Sequence, residues 1–146
     1  MMLGQFLTTS RTAWHTIPLR LAVGSVFIGH GAQKLFGWFD GPGLQSTAEA
    51  FSKMGFSPEM ALLAASGEFF GGLLVLLGLF TRLGALSVMI VMLVAIFKVH
   101  WGAFFMPKGI EYAFTLCLSG LSLLLSGGGA LSIDALLKGK SDCAQA

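Results

Sequence analysis

The sequence predicts an all-α membrane protein: a bundle of four transmembrane helices with a short amphipathic surface helix between helices 1 and 2. Three observations lead there. Of the 146 residues, 55% are hydrophobic and only 11% charged, whereas soluble domains carry roughly 25% charged residues. Mean hydropathy is +0.80, and a soluble fold this small would need more charge to cover its large water-facing surface. Four apolar stretches, 17–37, 58–80, 82–101 and 110–126, match the length of about 20 residues with which a helix crosses the hydrocarbon core. These runs also lack period-two alternation and are too long for strands. Short connections make consecutive helices antiparallel, as in a compact bundle. The chain divides into an N-terminal segment 1–16, a four-helix membrane domain 17–137 and a tail 138–146.

Arg11 precedes helix 1 as the charged region of a signal peptide would. The apolar run nevertheless continues through His30 and Lys34 to Phe39 with no small-residue cleavage site, so the first span is expected to stay in the mature protein. Asp40-Gly41-Pro42-Gly43 is a turn signal. Ser46-Thr47-Ala48-Glu49 then reads as a capping box, with Ala50, Phe51 and Met54 at helical spacing, and predicts the helix lying on the membrane surface. Ser57-Pro58-Glu59 starts helix 2, with Ser as N-cap and Pro in the first helical position. Thr81-Arg82 leaves room only for a tight reversal. After helix 4, Ser132 is the expected N-cap of a tail helix over residues 133–137, with Asp134 in its first turn.

Charge sets the orientation. Arg11, Arg20, Arg82, Lys138 and Lys140 fall on one side, and Lys53 and Lys108 on the other, with Lys34 and Lys98 just inside the spans. The excess of Lys and Arg marks the cytoplasmic side and predicts both termini there. Trp14 on the inner side, and Trp38 and Trp101 on the outer, fit interfacial anchors. The net charge of +2 is small and dispersed, without the basic cluster that tracks nucleic-acid phosphates. The lipid bilayer is the expected partner. Cys117 and Cys143 lie in different settings and read as unpaired.

Reading depth from alternating helices brings His30, Lys34, Glu68, Lys98, His100 and Glu111 into the outer half of the bundle. Glu68 is the most informative, because a carboxyl deep in a span faces the interior and finds partners; His30 and Lys34, four apart on one helix, are both candidates. Gly67 and Gly71, with Gly24, Gly29 and Gly31 in helix 1, permit close helix packing. An ion pair that merely fixes helix register is the competing reading of Glu68, and Lys34 and Lys98 each lie close enough to the interface to snorkel. On the inner side, Arg20 or Arg82 paired with Asp134 would form a structural clamp for the tail.

The motifs Arg20-x3-Gly24…Gly29-His30-Gly31-x2-Lys34-Leu35-Phe36-Gly37 and Glu68-x2-Gly71-Gly72…Gly78-x3-Arg82, with Glu111 and the closing Ser132-Ile133-Asp134, closely resemble the DoxX family of small membrane proteins. The resemblance runs from Arg20 to Leu137. Many relatives carry Gly-Pro-Gly near the end where this chain has Gly127-Gly128-Gly129, a departure expected to loosen that turn. The resemblance implies a four-helix protein of the bacterial inner membrane with links to quinone or thiol redox systems.

Two functional classes follow. In the first, the outer cluster binds a quinone or supports a quinone-linked oxidoreductase. His30, Lys34, Glu68, His100 and Glu111 would form the binding set, with Glu68 or His30 exchanging the proton, beside Phe27, Phe36, Phe69 and Phe70. In the second, the bundle is a non-catalytic anchor or assembly factor for a partner protein, docked through the surface helix. A metal or haem site has suitable ligand types but no ligand spacing, and no metal is expected. The orientation has a direct check: in intact cells Cys143 should escape a membrane-impermeant thiol reagent, and labelling there would contradict a cytoplasmic C-terminus.

Overall fold

The computed structural model describes residues 13–99, 101–105 and 109–143, with side chains through Lys138. Arg11, His100, Lys108 and the side chains of Lys140 and Cys143 lie outside the described residues. Every regular element among the described residues is a helix: α1 (Thr16–Phe36), α2 (Gly43–Lys53), α3 (Pro58–Leu77), α4 (Thr81–Lys98), α5 (Glu111–Ser126) and α6 (Ile133–Cys143). Two of them, α3 and α4, are long and apolar enough to cross a membrane.

Local chemistry explains most boundaries. Gly37 ends α1 in the left-handed conformation, donating its N–H to the Gln33 carbonyl at 3.2 Å. Ser57 is extended, and Pro58 opens α3 as expected, although the Ser57 side chain makes no capping bond. Four boundaries depart from the sequence reading, one of them the end of α4 at Lys98, where the sequence predicts a span to residue 101. Helix α2 starts at Gly43, so the Ser46–Glu49 box falls inside it, and the Thr47 hydroxyl donates to Gly43 O at 2.7 Å. Helix α3 stops at Leu77, where Gly78 (φ 67°) terminates the ladder and Leu79 N–H closes back on Leu74 O at 3.0 Å. The reversal therefore occupies residues 78–80, and Thr81 is already helical. The tail helix runs past residue 137 to Cys143, with Ser132 Oγ capping Ala135 N–H at 3.1 Å.

Helix α1 packs along α3, α3 against α4, α4 against α5, and α5 returns to α1; α2 lies over α3 and α1. Small residues make the closest contacts. At Gly31 a methyl group would sit 2.5 Å from the Phe69 backbone nitrogen, and at Gly72 one would sit 2.8 Å from that of Ile28. The α1 and α3 backbones thus touch, as small residues allow in membrane bundles. Val23, Phe27, Val75, Ala85, Val88, Leu116 and Leu123 fill the centre. Large apolar side chains also cover the outside, among them Leu21, Leu63, Phe70, Leu83, Ile90, Leu118 and Leu125. Water-soluble monomers rarely expose an apolar surface of that extent.

The end of the bundle where α1 and α4 begin and α3 and α5 finish, called the inner end after the orientation expected from sequence, is locked by polar bonds. Arg20 is 6% exposed. Its Nε donates to Val75 O at 3.1 Å and Nη2 to Leu76 O at 2.9 Å. Nη1 donates to Gly128, Ala130 and Leu131 carbonyls at 3.1–3.3 Å. Asp134 accepts from Phe80 N–H, Thr81 N–H and Thr81 Oγ1 at 2.8, 3.0 and 2.7 Å, capping α4. Arg82 donates to Leu124 O and Leu125 O at the end of α5. The clamp foreseen as an Arg–Asp pair is thus made by bonds that run chiefly to backbone groups. The physical reason is that helix ends leave carbonyls and amides without intrahelical partners, and these cations and this carboxylate satisfy them.

Nor is the glycine run loose. Gly128 O accepts from both Arg20 and Thr16, and a side chain at Gly128 would collide with Ser132 and Thr81. Lysine lacks the planar fork that bridges several carbonyls at once. Arg20→Lys should therefore lower unfolding stability in detergent by about 2 kcal/mol or more, and an unchanged unfolding midpoint would contradict the assignment.

Candidate ligand site

Glu68 is 2% exposed and forms an ion pair through Oε1 with Lys34 Nζ. The antiparallel arrangement of α1 and α3 makes this contact natural. Side chains lean toward the N-terminus of their own helix, so Lys34 leans inward along α1 while Glu68 leans outward along α3. The second carboxylate oxygen, Oε2, is buried and has no hydrogen-bond partner.

His30 does not join them. It is exposed and makes no hydrogen bond or ion pair with a described residue. At 3.6 residues per turn, His30 lies about 100° around α1 from Gly31, whose face meets α3, whereas Lys34 lies about 60° from it. The long lysine stem bridges its offset, and an imidazole could not.

Beside this pair, a cavity of about 380 Å³ opens between α3 and α4, under α2. Glu68 and Ser87 lie farthest from the outer ends of α3 and α4 and form its floor, with Lys34 also in the wall. Ser87 Oγ donates to Gly67 O at 3.0 Å, which fixes the two helices at that level. Along α3 the wall runs from Met60 to Glu68, a helix rise of about 12 Å. Met60, Leu63, Ala64, Ile90, Val91, Val94 and Ala95 supply apolar walls. Phe51, Met54 and Phe56 cover the mouth, where Lys98 Nζ sits 5.7 Å from the centre of the Phe56 ring. Leu63, Ile90 and Val94 are also exposed on the outside of the bundle, so the cavity is open sideways as well.

Of the ionisable residues singled out from sequence, the cavity gathers Lys34, Glu68 and Lys98. Glu111 is half-buried at the start of α5 and is not in the wall, and His100 falls outside the described residues. The aromatic set also changes. Phe27 belongs to the central core, Phe36 and Phe70 point outward, and Phe69 packs edge-on between those two rings, 5.5 and 5.4 Å from them. None of these four lines the cavity. Its aromatic cover comes from Phe51 and Phe56, and its mouth cation is Lys98. A signal for the cover was present: Leu44, Thr47, Ala48, Phe51 and Met54 recur at i, i+3, i+4, i+7, the pattern of a helix with one buried face. Among the described residues no group of His, Cys, Asp and Glu comes together to hold a metal ion.

An all-helical bundle with apolar residues outward is the architecture of a small membrane protein, and the apolar cavity with a buried acid–base pair at its floor is its candidate ligand site. Residues 15–101 match the family model of DoxX, and the chain belongs to that family. It is 32% identical over 128 residues to "Putative oxidoreductase CatD" of Bacillus subtilis (strain 168), an alignment covering 87% of this chain and 90% of the relative. No solved structure matches the chain.

The Lys34–Glu68 pair yields a stability test. Lys34→Met leaves a buried carboxylate without its cation and should destabilise the protein by about 3–5 kcal/mol. The double variant Lys34→Met/Glu68→Leu should recover most of that loss. A double variant no more stable than Lys34→Met, measured by unfolding in the same detergent, would show that the two side chains act independently.

Proposed function

We propose that this protein is a four-span inner-membrane protein whose α3–α4 cavity binds a quinone-type ligand for a redox system. Both termini are cytoplasmic in this reading. The observation that carries it is the cavity itself, an apolar slot with a buried acid–base pair at its floor and a side open where lipid would lie. A volume of about 380 Å³ falls in the range of small-molecule sites. A quinone ring needs such a combination: apolar walls for its ring and tail, and one polar, proton-bearing end for its oxygens.

Two further features support the membrane arrangement. Helix α1, 21 residues long, measures about 31 Å, and its two cations are withdrawn, Arg20 onto backbone carbonyls and Lys34 onto Glu68. Helix α5 is shorter, 16 residues, but shows Tyr112, Phe114, Leu118, Leu121 and Leu125 on its outside. Trp14, Trp38 and Trp101, all exposed, sit near the helix ends where interfacial aromatics belong.

The oxidoreductase name of the Bacillus relative agrees with a redox role. This chain would supply the membrane-embedded ligand site, and a partner protein would exchange electrons with it. Phe51 and Met54, in the helix by which a pure anchor would dock, line the cavity, which favours the ligand-site reading over the anchor. Purified protein should bind a short-chain quinone, and Ala64→Phe, which fills the cavity, should weaken binding at least about tenfold, or about 1.4 kcal/mol. His30→Ala should bind as the wild type does. Equal binding by wild type and Ala64→Phe would move the site elsewhere.

A further inference from the structure

We infer that a second apolar groove, on the outside of the α3–α4 seam, holds the hydrocarbon tail of the ligand whose ring occupies the cavity, so that the site takes a quinone with an isoprenoid tail. This rests on the reading of the cavity as a quinone site. The groove has a volume of about 310 Å³ and lies on the inner side of the contact between Ser87 and Gly67. Gly67, Ser87 and Ile90 border both spaces. The groove therefore begins where the cavity ends.

The sequence accounts for its shape. Gly67 and Gly71, one turn apart on α3, both meet Ser87 on α4, so only small groups stand where the two helices touch. Larger ones rise on either side, Phe70 and Leu74 from α3 and Leu83 and Leu86 from α4. No charged residue lines the groove, and its one side-chain hydroxyl, that of Ser87, donates to Gly67 O. From Gly67 to Leu74 the groove follows α3 for about 10 Å. Phe70, Leu83 and Leu86 are exposed on the outside of the bundle, where lipid would lie.

A cavity of about 380 Å³ is near the lower end for small-molecule sites, so it takes a ring and leaves a long tail outside. Two exits are open to that tail. The mouth leads past Phe56 and the Lys98 ammonium toward the membrane surface. Each methylene carried into water there weakens binding by a factor of about four. The side exit at Ile90 keeps the tail among apolar groups. Lipid chains are as apolar as the tail, so the groove selects by van der Waals contact along its walls. A tail joined to a bound ring is already held beside the groove, whereas a free lipid chain must be ordered there anew.

Two ligands test this on purified protein: a benzoquinone without a tail, and the same ring carrying a tail of two isoprene units. Leu74→Phe and Leu86→Trp narrow the groove at positions outside the cavity wall. Each variant is compared with the wild type for one ligand in one detergent, so that partition into the micelle cancels. The tailed quinone should bind both variants about fivefold or more weakly, and the tail-less ring should bind them as it binds the wild type. An unchanged affinity for the tailed quinone, or an equal loss for both ligands, would overturn the groove while leaving the quinone site. Binding of neither ligand by the wild type would overturn both. A photoreactive group at the end of the tail gives a reading that needs no variant. Its adducts should concentrate at Phe70, Leu74, Leu83 and Leu86, and adducts on α2 or spread over α1 and α5 would overturn the inference.

Discussion

Arg20 joins three parts of the chain that are far apart in sequence. Its guanidinium donates to carbonyls at the end of α3 and in the glycine-rich segment before α6. Gly78, the residue that ends α3, lies so close that a side chain there would overlap the guanidinium. Asp134 completes the knot by capping the first amides of α4 and returning its own N–H to Gly78 O at 2.9 Å. Each bond answers a requirement that an apolar setting makes severe, since a helix end without partners leaves several polar groups unpaired. Two cations, Arg20 and Arg82, and one carboxylate, Asp134, meet that need for the ends of α3 and α5 and for the start of α4.

With the inner end fixed in this way, the outer half can be more open. The glycine contacts of α1 with α3, at Gly24, Gly31 and Gly72, hold those two helices in backbone contact up to the level of Phe69. That proximity lets Lys34 reach Glu68. Between α3 and α4 the contact at Gly67 and Ser87 is the last close one before the helices part. Beyond it the space belongs to the cavity, and α2 serves as its cover instead of adding to the core. The same chain is therefore rigid where it is polar and buried by backbone bonds, and accessible where its charged pair meets an apolar slot.

The polar groups of the outer half divide by the side of the helix they occupy. Lys34 and Glu68 meet at the α1–α3 contact, and Lys98 stands at the mouth over Phe56. His30, at nearly the same level, points away from α3. Glu68 is joined to Lys34 through Oε1, while Oε2 is buried without a hydrogen-bond partner.

The sequence by itself determined the helical class, the positions of the membrane helices to within a few residues, the family, and that Glu68 faces the interior and needs a partner. Hydrophobic run length, glycine and proline punctuation, and the high cost of a carboxylate among apolar residues are all local quantities, readable along the chain. It also singled out Arg20 and Asp134, because isolated charges near apolar spans require partners. Tertiary structure alone decided which partners. Backbone carbonyls of remote helix ends took Arg20, and the amides of α4 took Asp134. A difference of about 40° around α1 separated Lys34 from His30. Facing surfaces also decided the cavity, whose cover and mouth come from α2, Phe56 and Lys98. Contacts of that kind depend on where helices part as well as on where they meet, and spacing along one chain carries no record of the gap between two helices.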